Sequence, residues 1–236
     1  MLGEALKLSI NAENITQTQT DFYFPKGAWC RLSGNTSNET CFNATDGMNK
    51  TYPSDLSDYQ LHLREGFIVP MQDTTTIKFN TTKDLQAHPV DFHVHGSLSA
   101  SGDGTWAAQG RYINDDGVNL DLSGTVNSYT LLSQYDGKDT ITVRVGMDQK
   151  ATKFESEIGS GCYFVNQNDL LGSMHFLNAQ ALGLANASSY QVTVSLMGNQ
   201  TIKTQAAYDK VNDKLMFTLA GEGQQVCLSR VITIKI

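Results

Sequence analysis

Apolar and polar residues alternate with a period of two along most of this chain, in runs of four to nine residues separated by turn-forming stretches. Leu6, Leu8 and Ile10 oppose Lys7 and Ser9, a short strand over 5–10. Residues 20–33 read as two strands joined at Pro25-Lys26-Gly27. Residues 34–56 are rich in Asn, Ser, Thr, Gly and Asp and read as a long solvated loop. Tyr59, Leu61 and Leu63 alternate with Gln60, His62 and Arg64; the strand breaks at Glu65-Gly66 and resumes at Phe67-Ile68-Val69. A further strand is expected at 74–80 and a linker at 81–88. Val90, Phe92 and Val94 then alternate with Asp91, His93 and His95. Residues 109–114 and 118–124 flank Asn114-Asp115-Asp116-Gly117 and read as a hairpin. Strands follow at 128–135, 140–147, 189–197, 201–207, 213–219 and 226–235, with one short helix expected within 171–185. Short strands at this spacing predict an all-β chain with a β-sandwich in its second half.

Composition agrees. The chain has 236 residues, 40% apolar and 17% charged, enough to build a sizeable core. The net charge of −7 comes without a basic block, which leaves a nucleic-acid backbone no clustered cationic surface. No apolar run approaches the roughly 20 residues of a membrane-spanning helix.

Eight Asn-x-Ser/Thr sequons begin at Asn14, Asn35, Asn38, Asn43, Asn49, Asn80, Asn186 and Asn199, four of them within 35–51. They point to N-glycosylation in the secretory pathway, secreted or lysosomal; an Asn/Thr-rich composition is the competing explanation. The four cysteines form an even set. In an oxidising compartment, local pairing gives Cys30–Cys41 and Cys162–Cys227; four free buried thiols are the alternative. Residues 1–30 contain no signal peptide, since Glu4 and Lys7 interrupt the apolar stretch and no small-residue cleavage site follows.

Three stretches carry a resemblance. They are Asp21-Phe22-Tyr23-Phe24-Pro25-Lys26-Gly27-Ala28-Trp29, then His62-Leu63-Arg64-Glu65-Gly66-Phe67-Ile68-Val69-Pro70, then Gly110-Arg111-Tyr112-Ile113-Asn114-Asp115-Asp116-Gly117. In order and spacing they resemble the region that follows the catalytic barrel in glycoside hydrolase family 31, the α-glucosidase family. Met1-Leu2-Gly3-Glu4-Ala5-Leu6 resembles a stretch at that family's eighth barrel strand, so Met1 is expected to be internal to a longer protein. The resemblance implies a final barrel strand at 1–12, a proximal β-domain at 13–82 and a distal β-sandwich at 83–236. Its partner would be the N-terminal and barrel portion of the same protein, with carbohydrate as substrate and no cofactor. The reaction of the whole would be retaining hydrolysis of terminal α-glucosidic bonds, which needs two carboxylates flanking the scissile bond. No stretch here resembles the family's Trp-x-Asp-Met-Asn nucleophile motif, so no catalytic residue is carried over. Five positions depart from the family pattern: Lys7 where an apolar residue is usual, Ile10 where a Pro is common, Cys30-Arg31 where Tyr-Asp is common, and Glu65 in place of the first Gly of a Gly-Gly pair. These departures and the crowded sequons raise a second possibility, a catalytically inactive glycosylated assembly subunit; a sugar-binding β-sandwich module is a third.

Other candidates have bland readings beside them. Asp115 and Asp116 are adjacent on a turn and cannot face each other across a sugar. His93 and His95 have the i, i+2 spacing of a metal pair, but an exposed polar strand face explains them as well. His62 reads as a structural hydrogen-bonding residue and Trp29 as a core residue. Trp106 is a candidate sugar contact, with a partly buried sandwich-edge aromatic as its alternative.

Overall fold

The computed structural model describes residues 1–11, 18–33, 41–53, 59–72, 80–81, 84–85, 88, 90–114, 127–147, 171–185, 189–196, 201–218 and 230–235. These residues form seventeen strands: β1 Leu6–Ser9, β2 Gln19–Phe24, β3 Gly27–Ser33, β4 Cys41–Ala44, β5 Met48–Pro53, β6 Gln60–Arg64, β7 Phe67–Met71, β8 Val90–His95, β9 Ser97–Leu98, β10 Trp106–Asn114, β11 Asn127–Tyr135, β12 Thr140–Met147, β13 Leu171–Leu177, β14 Ser189–Leu196, β15 Thr201–Asp209, β16 Lys214–Thr218 and β17 Arg230–Lys235. The fold is all-β, as the alternation requires.

The N-terminal part is a four-stranded sheet of order β1-β6-β3-β4, faced by the β2–β5 pair. Strand β1 pairs antiparallel with β6, Leu6 opposite Leu63 and Ser9 opposite Gln60, and so sits at the sheet edge. The interior between the two layers holds Phe24, Trp29, Ala44 and Tyr52, with Phe22, Phe42 and Met48 packed against them. Phe24 meets the rings of Trp29, Phe42, Tyr52 and His62 edge-on, at centroid distances of 4.7–6.2 Å.

The second part is one large sheet that curls until its ends meet. Its order is β11-β12-β17-β14-β15-β16-β13-β8-β7-β10-β9, and β10 also pairs with β11 along nine residues, from Trp106–Tyr135 to Asn114–Asn127. Ring closure leaves few strand edges unpaired. One core fills the interior, with Phe92, Trp106, Leu131, Ile141, Met174 and Phe176 among its members. The closing contact is tight: a Cβ at Gly110 would lie 2.2 Å from the Ile68 carbonyl oxygen, so only glycine fits where β10 crosses β7.

Strand β7 belongs to this large sheet, pairing with β8, whereas β6, just before it, belongs to the small one. Glu65, between them, ties the layers. Its amide donates to the Ala28 carbonyl at 2.9 Å, its Oε1 accepts the Ala28 amide at 2.9 Å, and its Oε2 accepts the Ser97 hydroxyl at 3.4 Å. The carboxylate that departs from the family's Gly-Gly pair thus has a structural use.

Three expectations change. The polar stretch 34–56 contains β4 and β5. In β5, Met48, Lys50 and Tyr52 alternate with exposed Asn49 and Thr51; the lysine stays at an inward position by laying Nζ 4.0 Å over the Phe42 ring. The expected helix at 171–185 is β13 followed by a turn. Met174 and Phe176 face the core at period two, β13 is paired on both sides, and Asn178 breaks the strand at φ 55°. Finally, β10 pairs with Asn127–Tyr135; 118–124, the Asp115-Asp116-Gly117 turn and the strand expected at 74–80 lie outside the described residues.

Candidate functional site

The disulfide joins Cys30 to Cys41, directly opposite each other on β3 and β4. It packs with Leu63, Val69 and Leu177 in a cluster between the two parts of the chain. His95 is fully buried beside it, with Nε2 3.4 Å from the Cys30 Sγ and Nδ1 3.3 Å from the Leu63 carbonyl oxygen. A ring nitrogen facing a carbonyl oxygen must carry the proton, which fixes the tautomer. Burial pushes His95 down to about 4, against the opposing pull of the Leu63 carbonyl and Glu65. Cys162 and Cys227 lie outside the described residues.

His93, two residues earlier on β8, stacks on His175 of β13, ring centroids 4.7 Å apart. Burial, with His175 and Lys214 nearby, brings His93 down to about 3. The exposed polar face expected at this strand is absent: His95 faces the disulfide and the Leu63 carbonyl, and His93 faces the His175 imidazole. Among the described residues, no three His, Cys, Asp or Glu side chains converge as a metal site.

His62 is the structural residue it was expected to be. Its Nε2 lies 3.1 Å from the Tyr52 hydroxyl inside the aromatic cluster. Burial, helped by Arg31, Lys7 and Lys50, holds it down to about 3. Lys7 donates to the Ser9 hydroxyl at 2.8 Å and sits 4.9 Å over the Phe24 ring, which accommodates a cation at a position the family usually fills with an apolar residue. Trp29 is fully buried and donates Nε1–H to the Pro25 carbonyl at 3.0 Å, holding the turn that the resemblance starts from.

Trp106 does not present its ring to solvent. Only 2% exposed, it lies 6.0 Å from Tyr135 and 5.9 Å from Phe176, which removes it as a stacking platform. The reason is register: Trp106 is opposite Tyr135 on the inner face, and its neighbour Ala107 takes the outer one. A cavity of about 460 Å³ opens at this corner, over β9 to β12. Nothing in the sequence marked it, because its polar lining comes from four strands that only the fold brings into register.

Two surface features complete the inventory. Asn43, Asn49 and Asn80 are exposed, as glycan acceptors must be, while the other five sequon asparagines lie outside the described residues. Around β1, Met1, Leu2, Leu8, Ile10 and Tyr59 are 38–58% exposed. Tyr59 precedes Gln60, the register partner of Ser9, so Ile10 and Tyr59 extend the same edge. No helix among the described residues is long and apolar enough to cross a membrane.

No family model and no curated protein matches this sequence. Solved structures do match. The chain superposes on glucosidase II alpha subunit in its α3-Glc2-bound form with a TM-score of 0.63 and 15% identity, covering 94% of this chain and 22% of that one. A Flavobacterium johnsoniae GH31 dextranase gives 0.59 at 16% identity, with 100% and 26% covered. This is a fold found within glycoside hydrolases. A cycloalternan-forming enzyme from Listeria monocytogenes gives 0.54 at 15% identity, covering 100% of this chain and 18% of that one. The chain therefore spans about a quarter or less of the length of these enzymes, and nearly all of it takes part in the match.

Proposed function

We propose that this chain is the non-catalytic C-terminal β region of an α-glucosidase-like glycoside hydrolase of family 31, bracing the barrel that carries the catalytic carboxylates. The exposed apolar edge at β1 carries this reading. Four aliphatic or thioether side chains and a tyrosine lie exposed around β1, and among the described residues the outer edge of this strand meets only the single Leu2–Leu6 bridge. An unpaired strand edge bearing apolar side chains is a surface built to be covered. The barrel portion is the occupant that the partial coverage of the enzymes above supports.

The reaction would be retaining hydrolysis of terminal α-linked glucose, with both carboxylates supplied by the barrel. The sequons and the disulfide favour the secretory pathway. A catalytically inactive, glycosylated assembly subunit is the second reading, supported by Lys7 and Ile10 where the family has other residues and by exposed Asn43, Asn49 and Asn80.

The test combines activity and association. The chain alone is expected to release no glucose from an α-glucoside, and the chain with its barrel portion to release it. Leu8→Asp and Ile10→Asp change exposed side chains, so the chain should keep its own melting temperature while association weakens by about tenfold or more. Hydrolysis by the chain alone, or association indifferent to both substitutions, would contradict the proposal. An intact complex that cleaves no α-glucoside would favour the inactive subunit.

A further inference from the structure

The cavity over β9–β12 has a composition that the bracing role does not use. Four outward residues line up in register across four strands: Ser97, Ala107, Gln134 and Thr142. Two residues along each strand a second row follows, made of Ser99, Thr105, Asp136 and Thr140. Neighbouring strands are about 4.8 Å apart, so the rows form a continuous polar face. Ala107 is the small residue between Ser97 and Gln134 and makes the dip. Its outward neighbours are larger, and the inner-face rings of Trp106 and Tyr135 lie at the cavity wall.

The second row is pre-organised by its turns. The Asp136 Oδ1 accepts the amides of Lys138, Asp139 and Thr140 at 2.9–3.1 Å, which leaves Oδ2 as an acceptor. Thr105 donates its hydroxyl to Asp103 at 2.6 Å, and Thr140 to Asp139 at 2.6 Å. Ser97 is fixed by Glu65. These groups need little reordering to meet a ligand.

We infer that this cleft binds a neutral polyhydroxylated ligand, a segment of oligosaccharide. The lining supplies hydroxyls, one carboxamide and one carboxylate, and no cation. The Gln134 carboxamide both donates and accepts, while the Ser97, Thr105 and Thr140 hydroxyls, whose protons go to Glu65, Asp103 and Asp139, offer lone pairs to sugar hydroxyls, which donate as well as accept. Phosphate or sulfate would meet the Asp136 carboxylate with no lysine or arginine in the lining to offset it. An apolar peptide would find only Ala107 and ring edges. The volume falls within the usual 300–1,000 Å³ of small-ligand sites. Recognition is by hydrogen bonds on an outer sheet face, not by stacking on Trp106, and it does not depend on the reading of the chain as part of a hydrolase.

Trp106 provides the reporter. Its Nε1 is buried without a hydrogen-bond partner, whereas that of Trp29, the other tryptophan, is bonded to Pro25, so the two indole N–H resonances are distinguishable. The full chain is titrated with maltotriose, cellotriose and mannotriose, and separately with inorganic phosphate, while amide and indole resonances are followed. At least one trisaccharide at millimolar concentration is expected to move the amides of residues 97–99, 105–107, 134–136 and 140–142 together with the Trp106 indole. Phosphate is expected to move none of them. Gln134→Ala, at an exposed position, should weaken binding by about tenfold. Ala107→Gln, also at an exposed position, should fill the dip and abolish binding with the spectrum otherwise preserved. Absence of shifts with all three sugars, equal shifts with phosphate, or binding unchanged in both variants would overturn the inference.

Discussion

His62 and His95 are buried and His93 is half-buried, all three in neutral form and each against a different neighbour: a tyrosine hydroxyl for His62, a disulfide for His95 and a second imidazole for His93. Their folded pKa values, about 3, 3 and 4, lie below the usual 6.5. Between those limits the unfolded chain binds more protons than the folded one. The stabilisation is therefore complete above about pH 6.5 and is lost as pH falls toward each folded value, at about 1.4 kcal/mol per pH unit for each histidine. Thermal unfolding should show a melting temperature that drops steadily from about pH 7 to about pH 5, and a flat profile would contradict these protonation states. At this scale the sequence was partly legible. His62 and Trp29 could be assigned as structural because each sits between apolar neighbours in a recognisable motif. The burial of His93 and His95 was not legible, since alternation marks a strand's two faces without saying whether both are covered. Glu65 stood out only as a departure from the family pattern, and its use was not readable: its three bonds reach residues 28 and 97, which adjoin it only after folding.

Strands were legible where an uninterrupted apolar alternation marks the face turned to a core. β6, β7, β8, β11 and β12 fall where alternation puts them. β5 was hidden because its outward residues are Asn and Thr and one inward residue is a lysine, so composition looked like a loop while period two persisted underneath. β13 was hidden because Leu171-Gly172-Ser173 begins it weakly and a turn with buried Leu182 and Leu184 extends its apolar run to helical length. The β3–β4 pair is stapled at Cys30–Cys41, a sequence separation of 11. In the chain-entropy model, closing so short a loop contributes on the order of 3 kcal/mol. Replacing both cysteines by serine should lower stability by about that amount in urea unfolding, with the large sheet retained by circular dichroism. A loss below about 0.5 kcal/mol would show that the small layer is held by its aromatic cluster alone.

The small two-layer part and the closed sheet share Glu65, the disulfide cluster and the β6–β7 turn, and among the described residues they leave an apolar edge uncovered at β1. The sequence motifs pointed to this fold because turns such as Pro25-Lys26-Gly27 and Glu65-Gly66 fix where strands change direction. The closure of β10 onto β11 and the cleft over β9–β12 are products of long-range register that no local pattern encodes. The central claim is that β1's edge is covered by a catalytic barrel. The most direct measurement is peptide mass spectrometry of the native, non-reduced protein purified from its source, under conditions that preserve association. The account predicts that residues 1–10 are found joined to, or co-purifying with, a polypeptide that carries a barrel and a pair of catalytic carboxylates. A native protein that travels alone, with no such polypeptide attached or associated, would contradict it.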